Sequence, residues 1–190
     1  EVAAGCERQA PREWLWHNRH VRLVDGSTVS MPDTLANQAA YPQSRSQQKG
    51  LGFPIARVVV LLSLATGMLT DMALGPCAGK ETGETALLRQ LLSGFEPGDI
   101  LLADRYFCSY FMIALLMAQG VDFVTRIHQR RDIDFRRGHR LGQGDHIVQW
   151  LRPAKPDWMD QQTFDRMPES IEVREVHVSV GRPGFRAESL

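Results

Sequence analysis

The run from Ile55 to Thr66, IARVVVLLSLAT, limits how this chain can fold more than any other feature. β-branched residues and leucines follow one another with hardly a polar break, the pattern of a strand buried on both faces of a sheet. Its apolar stretch, Val58 to Leu69, lies between Arg57 and Asp71 and is too short to span a bilayer. Such a strand needs partners, and the flanking sequence supplies them. Val21 to Met31 reads as a strand, and Gly67 allows a turn after which Met68 to Leu74 returns antiparallel.

Helical spacing comes next. Leu87, Leu88, Leu91, Leu92 and Phe95 recur on one face, with Thr82 as N-cap and Gly94 near the end. The turn Glu96-Pro97-Gly98 leads to a strand from Asp99 to Ala103. A second helix from Tyr110 to Gln119, capped by Ser109 and closed by Gly120, is apolar almost all round and therefore predicted to be buried. Val121 to Ile127 reads as a further strand. The order β-β-β-α-β-α-β is an α/β pattern with a mixed sheet, in which the first and fourth strands can lie side by side.

Residues 1–20 are mixed, with Trp14 and Trp16 as packing anchors for whatever precedes them, and the chain opens on Glu1 without an initiator methionine. They read as the end of a truncated N-terminal region. Pro32 to Gly52 is polar and reads as a long loop. Beyond Ile127 the character changes: Arg126, Arg130, Arg131, Arg136, Arg137 and Arg140 cluster with His128 and His139, opposed only by Asp132 and Asp134. GQGDHIVQW and REVHVSV then alternate like strands, with a phase change that predicts a bulge near Glu175. The predicted organisation is a core over 21–127 and a β-rich part over 128–190.

At 190 residues the chain can bury one ordinary core plus an insertion. Its 22 basic and 22 acidic side chains balance to zero, so a nucleic-acid partner is argued from the arginine cluster and not from composition. Guanidinium forks suit phosphate oxygens, although such a cluster is also a common solvated face. Three cysteines (Cys6, Cys77, Cys108) without CxxC spacing argue against a disulfide framework and fit a reducing cytoplasm. GPCAGKET, Gly75 to Thr82, falls short of a phosphate-binding loop: the glycine spacing is one residue too small and Glu81 stands where Ser or Thr is needed. It reads as an ordinary strand-to-helix connection.

Two acids stand out. Asp25 in VRLVDGSTVSM and Asp104 in GDILLADRYF each follow a short hydrophobic strand. On neighbouring strands they would bring two carboxylates to one sheet edge, a ready site for divalent metal and phosphodiester chemistry. Each has a plain alternative. Asp25-Gly26 between alternating hydrophobics is also a hairpin-turn signal, and Asp104 beside Arg105 suits an ordinary ion pair.

The segments VDGSTVSMPDTLANQAAYPQSRSQQKGLGFPIARVVVLLSLATG and LLADRYFCSYFMIALLMAQGVDFVTRIH, with GQGDHIVQWLRPAKPDWMD and MPESIEVREVHVSV, resemble DDE transposases of bacterial insertion sequences, the insertion-sequence-4 family. The resemblance covers almost the whole chain. It implies an RNase H-like mixed sheet with flanking helices, followed by a β-rich insertion domain. It also implies three acids holding two Mg²⁺ (or Mn²⁺) ions, with Asp25 as the first acid and Asp104 as the second. The third, a glutamate, belongs to a helix with a Tyr, Arg, Glu and Lys pattern that is not found here. Glu169, Glu172, Glu175 and Glu188 are available, but none stands in that context and none is assigned.

The activity implied is metal-dependent cleavage of DNA at transposon ends and strand transfer into target DNA, by a chain inactive without its third acid. The implied partners are double-stranded DNA and a second copy in a synaptic complex, with no membrane; the implied location is the bacterial cytoplasm, on the nucleoid. Two other readings stay open: an RNase H-like nuclease that cuts without joining, and a non-catalytic DNA-binding remnant.

Overall fold

The computed structural model describes residues 2–44, 48, 50 and 52–181, and the backbone alone of 188–189. In chain order the elements are α1 (Val2–Gln9), β1 (Val21–Ser30), α2 (Leu35–Ala40), β2 (Ile55–Ser63), β3 (Leu69–Pro76), α3 (Glu84–Gln90), β4 (Ile100–Ala103), α4 (Tyr110–Ala118) and β5 (Asp122–Thr125). After these come β6 (His139–Gly142), β7 (Asp145–Leu151), α5 (Gln161–Arg166), β8 (Ser170–Val176), β9 (Ser179–Val180) and β10 (Glu188–Ser189). Short 3-10 turns follow α1, α3 and β4.

Five strands form the main sheet in the order β3-β2-β1-β4-β5. β1, β2 and β3 are antiparallel, whereas β4 runs parallel to β1 and β5 parallel to β4. The predicted side-by-side placement of the first and fourth strands is observed. Parallel β4 and β5 need a crossover, and α4 supplies it. Gly67 and Gly98, at φ 68° and 95°, turn the chain where L side chains would be strained.

The two faces of this sheet differ. Leu61, Val24 and Val59 point to the face that carries α3 and α4, where Leu87, Leu88, Leu91, Leu101, Phe107, Met112 and Leu116 complete the core. On the other face one row crosses all five strands in register: Leu69, Leu62, Leu23, Leu102 and Val124. Leu69 and Val124 in this row, and Met72 and Leu74 beside it, remain between 43% and 52% exposed. β2 is therefore not buried on both faces as its composition predicts. Its residues alternate between buried and half-exposed, because no element among the described residues covers the second face.

α4 is buried as expected, because it serves two cores at once. Met112 and Leu116 face the main sheet. Tyr110, Phe111, Ile113 and Ala114 pack against Trp150 and Ile171 of the second, three-stranded sheet β6-β7-β8 and against Met159 in the loop before α5. Ser109 caps α4 by accepting the Met112 N–H at 3.3 Å.

Several local expectations need correction. The N-cap of α3 is Gly83, while the Thr82 hydroxyl donates to the Gly79 carbonyl instead. The polar stretch 32–52 holds α2, capped by Thr34, whose hydroxyl accepts the Asn37 N–H. No bulge interrupts β8, which pairs with β7 without a break from Ser170 to Val176. The phase change marks the end of that strand, beyond which Val178 and Val180 are exposed. Trp14 and Trp16 are each 57% exposed, and Trp16 meets the His17 ring edge to face at 4.5 Å.

Candidate functional site

Asp25 lies in mid-strand, paired across β1–β2 with Val60, so Asp25-Gly26 is not a hairpin turn. On the other side β1 pairs with β4 as far as Leu23↔Leu102. Continuing that parallel register by two residues sets Asp25 opposite Asp104. Side chains alternate along a strand, so Asp25 shares the open face with Leu23, while Asp104 directly follows the last residue of β4. β4 ends at Ala103, so beyond this point β1 keeps only β2 as a neighbour. The two carboxylates stand where the sheet divides, and both are exposed.

Backbone donors orient each acid. Asp25 Oδ1 accepts the N–H of Gly26 at 2.8 Å. Asp104 caps the turn Arg105–Phe107, with Oδ1 accepting the Tyr106 N–H at 2.9 Å, and its carbonyl accepts the Thr125 hydroxyl at 2.7 Å. No ion pair joins Asp104 to Arg105 among the described residues. On each acid the second carboxylate oxygen has no protein partner among the described residues. Behind Asp25, Gly26 admits the side chain of Glu84: a Cβ there would lie 2.5 Å from Glu84 Cδ.

Hard oxygen donors suit magnesium or manganese, so the two aspartates fit such an ion. They do not complete its site. Among the described residues no group of three or more His, Cys, Asp or Glu side chains could hold a metal ion. Glu169, Glu172 and Glu175 lie on β8 or directly before it, far along the chain from β1 and β4 and in the other sheet. Glu175 is occupied there by His146 and Trp150. The Glu188 side chain lies outside the described residues.

The arginine cluster divides. Arg136 and Arg137 both turn to Asp134, at 2.8 and 3.4 Å, and hold its carboxyl down at about 2. Arg140 Nε donates to the Gly142 carbonyl at 3.2 Å. Arg131 instead lies over the indole of Trp150, 3.5 Å from the ring centre. Arg126 and Arg130 are exposed. Neither Arg126, Arg130 nor Arg131 has a carboxylate partner among the described residues.

A buried network under this segment escaped the sequence reading. His146, 1% exposed, sets Nε2 against Glu175 Oε2 at 2.8 Å and Nδ1 against the Arg137 carbonyl at 2.7 Å. Both ring nitrogens face oxygen acceptors, so the ring satisfies both as an imidazolium, and the Glu175 carboxylate first, then the carbonyl, hold its pKa above the ordinary histidine value. Trp150 Nε1 donates to Glu175 Oε1 at 2.8 Å. The signal available was Glu175 in the same strand phase as the core residues Ile171 and Val173, an acid where the pattern asks for an apolar side chain.

A five-stranded mixed sheet in this strand order, flanked by helices, is an RNase H-like α/β core. The chain belongs to the transposase DDE domain family, whose model matches residues 16–173. It is 27% identical over 146 residues to transposase InsG for insertion sequence element IS4 of Escherichia coli (strain K12), an alignment covering 70% of this chain and 32% of that protein. The chain thus spans about a third of the length of that curated relative. Among solved structures, a piggyBac transposase synaptic complex with hairpin DNA aligns with 75% of this chain and 35% of its own, at a TM-score of 0.40 and 8% identity. No helix among the described residues is long and apolar enough to cross a membrane.

Proposed function

We propose that this chain forms the larger part of a DNA transposase catalytic core, which cuts DNA at transposon ends and joins the freed end to target DNA. The observation that supports the reading is the parallel pairing of β1 with β4 through Leu23↔Leu102, two residues before each acid. Asp25 and Asp104 would hold the metal, each with the carboxylate oxygen left without a protein partner. Bound magnesium supplies activation of the attacking oxygen and neutralises charge developing on the phosphoryl group.

What the chain itself contributes is position and charge. Gly26 and Tyr106 N–H groups fix the two carboxylates, so little reorganisation is needed when metal and DNA arrive. No covalent protein intermediate is required for phosphoryl transfer. Residues 128–190 act as the insertion domain, and the arginines at its entry that have no carboxylate partner among the described residues, Arg126, Arg130 and Arg131, provide phosphate-facing charge. The partners are double-stranded DNA and a second copy of the protein, and the setting is the bacterial nucleoid.

The test is a strand-transfer assay with the longer gene product, DNA carrying the element's terminal repeats, a supercoiled target and magnesium. Cleavage followed by joining supports the transposase. Cleavage without joining supports a nuclease, and neither activity, with DNA still bound, supports a non-catalytic remnant.

A further inference from the structure

We infer that Arg131 and His128 form a phosphate-binding cleft for the DNA backbone next to the two acids, distinct from the exposed arginines at 136 and 137. The inference rests on the transposase reading and narrows it to one site. An open cleft of about 450 Å³ is lined by Cys108, His128, Arg130, Arg131 and Asp132. Both of its walls grow out of the candidate active site. Cys108 closes the 3-10 turn that Asp104 caps, and the segment leading to His128 leaves β5 at Thr125, whose hydroxyl bonds the Asp104 carbonyl. A strand whose phosphate reached Asp104 would continue past this cleft.

The cleft is built, not merely charged. Arg131 rests its face on Trp150, a buried indole pinned by Glu175. A guanidinium stacked on its face still presents its edge N–H donors, the geometry that suits a phosphate fork. Its backbone N–H bonds the His128 carbonyl at 2.9 Å, which ties the two side chains to one turn. The His128 Nδ1 accepts the Arg130 N–H at 3.2 Å, so in the neutral ring Nε2 carries the proton and is a donor. Below, the His146 bond to the Arg137 carbonyl holds the far end of the same segment. Asp132 is the one acid lining the cleft, against two arginines. By contrast Arg136 and Arg137 share Asp134 as a carboxylate partner. The cluster is thus one gripping site and one largely self-paired loop.

The experiment measures binding of the 190-residue chain to a fluorescent DNA duplex of about two helical turns, by anisotropy across a salt series. Arg131→Gln is expected to weaken binding about tenfold and to reduce the slope of log affinity against log salt by about 0.9, one phosphate contact. Arg131→Lys keeps the charge and is expected to retain the slope. The double variant Arg136→Gln/Arg137→Gln is expected to stay within about twofold of the parent. As an independent readout, duplex should protect Cys108 from a maleimide in the parent and not in Arg131→Gln, with Cys6 as the unprotected reference. Parent-like affinity and slope in Arg131→Gln, or equal Cys108 labelling with and without duplex, overturns the cleft and leaves the transposase reading standing. If the parent chain binds no duplex even at low salt, DNA binding by this core and the cleft both fall.

Discussion

His146 Nε2 and Glu175 Oε2 meet at 2.8 Å inside the second sheet, with each residue no more than 5% exposed. The pair is charged, buried and bonded on every side. Removing one member leaves the other charge without compensation, which costs about 3–5 kcal/mol in such settings. His146→Leu is expected to lose that much in urea unfolding. Adding Glu175→Gln to it should recover part of the loss, because an amide needs no counter-charge and still accepts the Trp150 N–H.

The same pair sets a pH dependence. Since the folded pKa of His146 is raised, its contribution to stability is fully present below the unfolded histidine value, ~6.5. It is lost as pH rises through the higher folded value. Melting temperature should therefore fall as pH rises above that value in the parent and fall less in His146→Gln. Parallel melting curves for the two proteins across that window would remove the pair from the account.

Asp25→Asn and Asp104→Asn in the longer protein should abolish metal-dependent DNA cleavage while leaving folding almost untouched. Both side chains are exposed, and exposed substitutions usually change stability by less than about 0.5 kcal/mol. Asparagine also keeps the oxygen that accepts the Gly26 or Tyr106 N–H. Unchanged cleavage in either variant, measured alongside its melting temperature, would take that residue out of the site.

Gly138 should tolerate no side chain. It sits at φ 73°, and a Cβ there would press on the Ile147 carbonyl across the turn into β7. Backbone cannot move aside as a flexible side chain does. Gly138→Ala should destabilise the second sheet by about 2 kcal/mol or more, of which ~1–2 is the left-handed backbone alone. Denaturant unfolding followed by Trp150 and Trp158 fluorescence measures it.

Residues 1–190 alone should neither cleave nor join DNA, even with magnesium or manganese in excess. Two carboxylates without a third donor hold a hard cation weakly. Calorimetric titration should show metal affinity far below that of the longer protein. Robust cleavage by residues 1–190, lost on mutating Glu188, would place the third acid within this chain.

Period and punctuation carried most of the fold. The strand pattern around Val24 and Val59 and the Ser109 and Gly120 boundaries of α4 match the structure, whereas of the leucine-spaced helix only Leu87 and Leu88 lie in α3, which ends at Gln90 before a 3-10 turn over Leu92–Gly94. These are local rules, and the core agrees with them. What failed were features decided at a distance. Ile55–Thr66 looks doubly buried because composition reports apolarity and not what covers it. Glu175 looks like a bulge because a buried acid paired with His146, 29 residues away, breaks the alternation that an apolar residue would continue. The acids Asp25 and Asp104 were legible as residues, and strand order made their meeting plausible. The division of the arginines was not legible, since it depends on Trp150 arriving beneath Arg131 from another strand.

In the apolar row Leu69, Leu62, Leu23, Leu102 and Val124, Leu23 and Leu102 stand two residues before Asp25 and Asp104 along the chain. With the face of this row open, water screens Asp25 and Asp104 almost as in bulk, at a dielectric near ~80, and their pull on a cation is correspondingly slight. Once the leucines are covered, water leaves the carboxylates' flank as well, the effective dielectric drops toward ~20, and the same two charges attract a cation several times more strongly. Hydrophobic closure and metal affinity are then one transition at this surface: a core that finishes folding here also switches on its electrostatics.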